Sequence, residues 1–256
     1  MSRSTQTRRA YLRSIGAGTA LLVGGVGTVS GDDSAGIRVV HASPDAPEVD
    51  VTLTKTDDDL SQTVTVAFRD VTDYLEVPTG EYEVEIPAAG FSTTVTLAGE
   101  DYTAVALGTL ANDDFTVGVF EDTNGANIGD DEARVRAIHA SPDAPNVDVT
   151  VNDDALTLFE DVAFGESSGY AVGGAPDYEV EVRPASGGDP VVEADVSLDG
   201  RSTYTVFAVD FLGSIELLPV KDVGAPPRGD GNGRGNGNGN GNGNGRGKGN
   251  GRGKGN

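Results

Sequence analysis

The chain contains no cysteine and no tryptophan, and aromatic residues make up only 6% of its 256 positions. The absence of cysteine excludes disulfide bonds, thiolate metal sites, a cysteine nucleophile and a lipid-modified N-terminal cysteine. Lysine is also scarce, because Lys55 and Lys221 are the only two outside the C-terminal tail.

Positive charge is nearly absent from the middle of the chain. Residues 31–227 hold 8 basic and 40 acidic residues, a net charge of −32. Such charge opposes compaction at ordinary ionic strength, whereas in molar salt the Debye length falls to about 3 Å and the repulsion is largely screened. Acidity with few aromatics is also typical of disorder, but the regular apolar alternation described below favours a folded chain. We therefore predict a protein adapted to high salt.

The N-terminal 30 residues predict export. Arg8 and Arg9 precede a weakly apolar run at 15–29 that is too short and too rich in glycine for a comfortable membrane span. The arrangement resembles a twin-arginine signal, whose cargo crosses the membrane already folded. Thr28-Val29-Ser30 offers a small-residue cleavage site. We expect a signal segment at 1–30, a secreted or cell-surface protein, and no stable membrane span after signal removal. A retained basic anchor is the alternative.

One decapeptide occurs twice. Residues 41–50 read His-Ala-Ser-Pro-Asp-Ala-Pro-Glu-Val-Asp and residues 139–148 repeat them, with Asn146 in place of Glu48 as the only change. Both histidines of the chain lie in this phrase. A long period with a short invariant core indicates two copies of one structural unit.

Both copies have the pattern of short β-strands. In the first, Tyr82, Val84 and Ile86 alternate with glutamates, and the second repeats this at 178–182. A period of two predicts strands with one buried face, and no long stretch shows helical periodicity. With about seven strands per copy, we predict an all-β chain of two tandem Ig-like antiparallel β-sandwich domains with disordered N- and C-terminal segments. The predicted boundaries are 36–122 and 134–222 for the domains, 123–133 for the linker, and 223–256 for the disordered tail. A single intertwined β-domain is the alternative.

The phrase at residues 38–51, Arg-Val-Val-His-Ala-Ser-Pro-Asp-Ala-Pro-Glu-Val-Asp-Val, and its second copy resemble the family catalogued as domain of unknown function 4397. The resemblance covers about residues 37–220 and is of the exported, halophilic archaeal type. It implies secreted or surface-attached β-rich modules, often in pairs. It implies no activity and supplies no catalytic residues.

The repeated phrase contains the chemical groups of a nucleophilic triad, but crowded into five consecutive positions. A triad needs its serine on an exposed turn beside aimed N–H donors, and a proline next to the serine removes one donor. We therefore interpret the phrase as a structural turn closed by side-chain bonds to the backbone, and we predict no catalytic residue. The motif residues are His41, Ser43, Pro44, Asp45, Pro47, Asp50, His139, Ser141, Pro142, Asp143, Pro145 and Asp148.

Other signals are weaker. The stretch at 165–169 fits Gly-x-Ser-x-Gly but lies between predicted strands, where a nucleophile elbow does not occur. Acidic clusters such as 57–59 do not follow a calcium-loop pattern, so we predict no metal and no cofactor. The basic tail is Gly/Asn/Arg-rich and lacks the aromatic residues of nucleic-acid binders. We therefore expect no nucleic-acid partner.

These observations predict an exported, non-enzymatic binding or structural module, secreted or on the cell surface, whose partner is an unknown glycan or envelope protein. Sandwich proteins usually place ligand contacts on interstrand loops. An extracellular hydrolase that uses the His-Ser-Asp phrase is the first alternative. A subunit that pairs with an envelope protein is the second.

Overall fold

The computed structural model describes residues 34–124, 128–175 and 177–222. The predicted signal segment at 1–30 and the tail at 223–256 lie outside the described residues. Within these ranges the chain forms sixteen strands and two single-turn 3-10 helices, at Pro87–Ala89 and Leu212–Ser214. Eight strands fall in each sequence repeat, so the predicted all-β class is confirmed.

The strands of repeat 1 precede residue 123. They are β1 (Ser34–His41), β2 (Val49–Lys55), β3 (Ser61–Val66), β4 (Leu75–Pro78), β5 (Gly80–Ile86), β6 (Phe91–Leu97), β7 (Asp101–Leu107) and β8 (Thr116–Asp122). Repeat 2 follows the same order. Its strands are β9 (Glu132–His139), β10 (Val147–Val151), β11 (Leu156–Val162), β12 (Ala171–Gly174), β13 (Asp177–Pro184), β14 (Val192–Ser197), β15 (Ser202–Val209) and β16 (Glu216–Asp222).

Each repeat is a sandwich of two four-stranded sheets. In repeat 1 the sheets have the orders β4-β1-β7-β8 and β3-β2-β5-β6, and in repeat 2 they have the orders β12-β9-β15-β16 and β11-β10-β13-β14. One apolar cluster lies between the two sheets of each repeat. The tandem β-sandwich architecture predicted from the repeats is therefore confirmed.

The sheets β3-β2-β5-β6 and β11-β10-β13-β14 are the outer sheets, and the other two are the inner sheets. The outer sheets explain the alternating sequence pattern. In β5 the side chains of Tyr82, Val84 and Ile86 are buried, while Glu81, Glu83 and Glu85 face solvent. Because successive side chains on a strand point to opposite faces, one face packs on the core and the other carries the acids.

The inner sheets have central strands that are buried on both faces. All eight residues of β1 and all eight of β15 are buried. A third apolar cluster joins the two inner sheets and contains residues of both repeats: Val40, Ala42, Val105, Leu107, Ile138, Ala140, Phe207 and Val209. The geometry between the repeats, which the sequence left open, is thus a stack of four sheets with the inner pair in direct contact.

Two features differ from the sequence prediction. Each repeat has eight strands rather than about seven, because the four-residue edge strands β4 and β12 are too short to produce a clear alternation. In addition, β1 pairs in parallel with β7, and β9 pairs in parallel with β15, whereas every other strand pair is antiparallel. Five strands separate β1 from β7, with β4 in the inner sheet and the other four in the outer sheet, so no hairpin forces these neighbours to be antiparallel.

Candidate functional site

The repeated phrase forms the crossing from the inner to the outer sheet. His41 is the last residue of β1, and the proline turn that follows it leads into β2; His139 occupies the same place between β9 and β10. Both histidines are buried, with exposed fractions of 0% and 1%. Ser43 and Ser141 are buried as well, whereas Asp45 and Asp143 are exposed.

Each histidine closes its own turn through both ring nitrogens. His41 Nε2 lies 2.9 Å from the carbonyl oxygen of Pro47, and Nδ1 lies 3.3 Å from the backbone nitrogen of Ser43. The distances are 3.0 Å and 3.4 Å for His139 with Pro145 and Ser141. A backbone N–H can only donate and a carbonyl oxygen can only accept, so these partners assign the proton to Nε2 and leave Nδ1 as the acceptor.

The surroundings of the histidines favour the neutral ring. Burial lowers the pKa of both His41 and His139, because desolvation disfavours the charged form, and the bonds to the proline carbonyls oppose this only in part. An aromatic ring meets each imidazole edge to face with centroids 6.1 Å apart, Phe68 in repeat 1 and Phe164 in repeat 2.

The acidic residues of the phrase bond to neighbouring segments. Asp45 accepts hydrogen bonds from the backbone N–H groups of Leu110 and Ala111, both at 2.8 Å, and so fixes the loop between β7 and β8. Asp143 accepts one at 2.6 Å from Leu212 in repeat 2.

The second aspartate of each phrase supports the edge of the outer sheet. Asp50 accepts from the hydroxyl of Thr65 at 2.6 Å, and Asp148 accepts from the backbone N–H of Asp161 at 2.8 Å. Pro44 and Pro142 are partly buried within the turns, while Pro47 and Pro145 are exposed and offer their carbonyls inward to the histidines.

This arrangement does not activate a nucleophile. A general base must lie within hydrogen-bond reach of the proton that it removes. Here the histidine accepts from the serine backbone N–H, while the hydroxyl oxygens of Ser43 and Ser141 are buried without a hydrogen-bond partner. The phrase places its polar groups so that they hold a sheet crossing in one conformation.

A cluster of buried charges lies between the inner sheets, and sequence reasoning missed it. Arg38 and Arg136 are each only 2% exposed, and the side chains of Asp122 and Asp222 are fully buried. Each arginine pairs with the aspartate of the other repeat: Arg38 Nη2 lies 2.5 Å from Asp222, and Arg136 Nη2 contacts Asp122. Two reciprocal ion pairs therefore connect the two repeats across the interface.

Two threonines at equivalent positions of the repeats complete the network. Thr103 accepts from Arg38 Nε at 2.8 Å and donates to Asp122 at 2.6 Å. Thr205 accepts from Arg136 Nε and donates to Asp222, both at 2.9 Å. Two cations and two anions leave the cluster neutral, and each carboxylate is bonded by several donors, which is how a buried ion pair offsets its desolvation.

The charges of the cluster perturb one another. Burial alone would lower the pKa of Arg38, but the charges of Asp222 and Asp122 outweigh it and the pKa is raised. Burial raises the pKa of Asp222, and Arg38 opposes that rise. Tyr74 donates to Asp122 and lies under the Arg38 guanidinium, and burial raises its pKa.

A signal for this cluster was present in the sequence. Arginine recurs at the same position of two otherwise apolar strands, 37–41 and 135–139, in a segment with only 8 basic residues. A repeated arginine on a strand buried on both faces requires a buried acid, and Asp122 and Asp222 recur at the ends of equivalent strands. What the sequence could not show is that each arginine takes its acid from the other repeat.

Among the described residues no group of three or more histidines or carboxylates could hold a metal ion. The described part of the chain also has no helix that is long and apolar enough to cross a membrane. Arg8 and Arg9, predicted to form the export signal, lie outside the described residues.

The comparisons with known proteins identify the family. Two matches to one family model, domain of unknown function DUF4397, cover residues 35–150 and 133–234. The chain belongs to the DUF4397 family. The two overlapping matches agree with the tandem pair of repeats, so the resemblance of the repeated phrase to this family is confirmed.

The other comparisons add no function. No curated protein matches the chain significantly. Among solved structures, the Bacillus anthracis TIE protein aligns with 75% of this chain and 31% of its own at 12% identity and a TM-score of 0.22. A leucine-rich repeat protein from Bacteroides thetaiotaomicron VPI-5482 aligns with 70% of this chain and 26% of its own at 11% identity and a TM-score of 0.21. The chain thus spans less than a third of the length of either structure.

Proposed function

We propose that this DUF4397 protein is an exported, non-enzymatic module that binds or displays at the cell surface or in the surrounding medium of a high-salt habitat. Its two repeats act as one rigid body, because they share an apolar cluster and a buried charge network. The paired arginines at positions 8 and 9 supply the export signal. A glycan or protein of the cell envelope is the expected partner.

The observation that carries the proposal is that every basic side chain of the acidic middle is engaged within the molecule, in an ion pair or on an aromatic ring. Of the 8 basic residues in the acidic middle of the chain, seven form ion pairs with carboxylates, and Arg134 stacks on the ring of Tyr170 with its guanidinium carbon 4.4 Å from the centroid. The seven are Arg38, Lys55, Arg69, Arg136, Arg183, Arg201 and Lys221. The surface is left with acids in large excess.

The exposed acids stand close to one another. On the outer sheet of repeat 2 the pKa of Glu179 is raised, by desolvation and by the charges of Asp153 and Asp195. Such repulsion destabilises a fold in dilute buffer and is screened in molar salt, where the Debye length is about 3 Å. The surface therefore suits a protein that stays folded and dissolved outside the cell at high salt.

Co-sedimentation with cell envelopes in molar potassium chloride tests the proposal. We would compare residues 31–256 with residues 31–224, since both retain every described strand and the second lacks the basic tail. The proposal expects at least the longer form to sediment with envelopes. Binding by both forms would place recognition on the sandwiches, and binding by the longer form alone would place it on the tail. Sedimentation of neither form would contradict a surface role.

The enzymatic alternative has its own test. A serine hydrolase would be labelled by a serine-directed covalent probe at Ser43 or Ser141, and the label would disappear in the His41→Ala and His139→Ala variants. We expect no labelling, because both hydroxyls are buried and neither contacts a histidine nitrogen. Labelling of either serine in the folded protein would favour the hydrolase.

A further inference from the structure

The core of repeat 2 contains an apolar cavity that repeat 1 lacks. The cavity has a volume of about 140 Å³ and lies between the two sheets of the sandwich. The corresponding space in repeat 1 measures about 10 Å³, which is at the lower limit for a single water molecule. The two repeats share strand order, but β11 is irregular against β10 where β3 pairs regularly with β2, so this irregularity and side-chain differences both shape the cavity.

Much of the missing side-chain volume belongs to the edge strand of the inner sheet, and Val135 and Val151 also replace the larger Ile37 and Leu53 of repeat 1. In repeat 1, β4 places Leu75 opposite Ile37 and Val77 opposite Ala35. In repeat 2, β12 places Ala171 opposite Val135 and Gly173 opposite Ala133, at the same register positions. Leu75 packs against the core and Val77 is fully buried. Leucine and valine are thus replaced by alanine and glycine, which removes six side-chain carbons from one corner of the core.

The rim of the cavity is more apolar in repeat 2 than the equivalent surface of repeat 1, although the core of repeat 2 holds less apolar volume. Leu156 and Val172 border the cavity on the two edge strands β11 and β12, and they are 56% and 57% exposed. The equivalent positions in repeat 1 are polar. Gln62 of β3 matches Leu156, because the two residues pair with the equivalent residues Leu53 and Val151. Glu76 of β4 matches Val172 in the same way, because they pair with Gly36 and Arg134. Repeat 2 therefore has less apolar volume inside and more apolar surface at the entrance.

The cavity offers no free polar group to a ligand. Tyr178 lines it, but its hydroxyl donates to the carbonyl oxygen of Gly174 at 3.1 Å. Arg136 and His139 border it too, and their nitrogens are bonded to Asp122, Thr205 and the turn backbone. An apolar cavity without polar partners stays dry, and an engineered one of about 150 Å³ in another protein binds benzene.

The charges around the entrance are negative. Asp154 precedes β11 by two residues, Glu132 pairs with Gly174 across the sheet, and Asp177 begins β13; all three are exposed. The cations near the entrance are already engaged: Arg134, the cross-strand partner of Val172, stacks on Tyr170, and Arg183 is paired with Glu181 and Asp154. An anionic head group at this entrance would meet like charge, whereas an uncharged group would not.

We propose that this cavity is a binding site for an uncharged apolar ligand, or for an uncharged apolar group of a larger ligand, about the size of benzene. The apolar rim would cover the part of the ligand that extends past the cavity. The site goes beyond the proposed surface function, because it requires neither export nor an envelope.

Titration of the purified full-length chain with benzene, 1-hexanol and hexanoate in molar potassium chloride, followed by methyl NMR, tests the site. Benzene and 1-hexanol are expected to produce saturable shifts at the methyls of Leu156 and Val172 and none at Val77. Hexanoate is expected to bind at least threefold more weakly than 1-hexanol. Absence of saturable shifts, or binding of hexanoate as tight as that of the alcohol, would overturn the proposal.

Variants that transfer the residues of repeat 1 into repeat 2 make the test specific. The Ala171→Leu/Gly173→Val double variant should bind benzene at least tenfold more weakly. It should still fold, since a Cβ atom at Gly173 meets only the Tyr178 hydroxyl oxygen, at 3.7 Å. The Leu156→Gln/Val172→Glu variant changes the rim only and should weaken 1-hexanol severalfold. Wild-type affinity in both variants would refute the site, while envelope binding would be unchanged in either case.

Discussion

Repeat 1 and repeat 2 carry nearly the same turn phrase and the same strand order, yet their cores are filled differently. In repeat 1 the edge strand β4 contributes Leu75 and Val77 to the core, whereas β12 of repeat 2 contributes Ala171 and Gly173. The backbone pairing is unchanged, because β12 pairs with β9 at the same positions at which β4 pairs with β1. The backbone pairing of an edge strand and the filling of the core beside it are therefore separable properties.

The interface between the repeats shows the opposite behaviour. Every member of the charge network is the same residue type in both repeats: arginine at 38 and 136, threonine at 103 and 205, aspartate at 122 and 222. A member lost from one repeat leaves a charge unpaired in the other. Residue identity is thus kept in the charge network, whereas the apolar contacts between the repeats have changed, with Ile138 and Phe207 in place of Val40 and Val105.

The largest loss of stability is expected when one of the two ion pairs between the repeats is removed. Arg38→Met leaves Asp222 buried without its ion-pair partner, so we expect a loss of about 3–5 kcal/mol in the free energy of unfolding. Arg136→Met should cost a similar amount, because its partner Asp122 is equally buried. Chemical denaturation at fixed molar salt measures both.

The double variant Arg38→Met/Asp222→Leu is the control for this prediction. Removing both charges removes the unpaired ion, so most of the lost stability should return. Equal stability of Arg38→Met and the wild type would show that the network contributes nothing to holding the repeats together.

The next largest loss of stability is expected when repeat 1 receives the glycine that repeat 2 has at the equivalent position of its edge strand. Val77→Gly removes a fully buried side chain and places glycine in a strand, so we expect a loss of about 3 kcal/mol. Thermal and urea unfolding measure the loss. Thr94→Ala, on the exposed face of β6, is the matched control and should change stability little. A small loss for Val77→Gly would mean that the two cores are less different than their side chains indicate.

The reverse substitution should have the opposite sign and a smaller size. Gly173→Val fills part of the cavity in repeat 2 and restricts the unfolded chain, so we expect a gain of about 1 kcal/mol. The same unfolding measurements apply. A loss of stability would indicate that the backbone of β12 has adapted to glycine.

The smallest effect concerns pH and should be shared by both repeats. Burial lowers the folded-state pKa of His41 and His139, while in the unfolded chain the pKa stays near its usual value of about 6.5. On acidification the unfolded chain takes up protons first. The contribution to stability is therefore intact above pH 6.5 and is lost as the pH falls through the folded-state pKa.

Unfolding experiments at pH 7.5 and pH 5.5 check this sign. The wild type should be less stable at the lower pH, and a His41→Gln/His139→Gln variant should lose less over the same interval. If the variant and the wild type respond equally, the histidines are not the source of the pH dependence.

Most of the fold could be predicted from local patterns. The alternation of Tyr82, Val84 and Ile86 with glutamates predicts an outer strand, and proline fixes the crossing at residues 44–47, because these signals act over a few residues. The strands β4 and β12 were not predicted, since four residues at a sheet edge carry too little pattern. The parallel pairing of β1 with β7 was not predicted either, since it joins segments about 65 residues apart.

The candidate sites divide in the same way. The repeated phrase identified His41 and His139 as special residues, and turn chemistry predicts hydrogen bonds from such residues to the nearby backbone. The partners of Arg38 and Arg136 and the cavity beside Ala171 and Gly173 depend on which sheets face each other, and no local pattern encodes that.

The sequence by itself determined an all-β chain of two copies, the residues of the turn between the sheets, the acidic surface and the family. These follow from periodicity, proline and charge, which are properties of short segments. Only the tertiary structure decided that the inner sheets pack together, that each repeat neutralises the buried charge of the other, and that one core is full and the other hollow. Such properties are sums over contacts between distant segments, and they exist only when those segments meet.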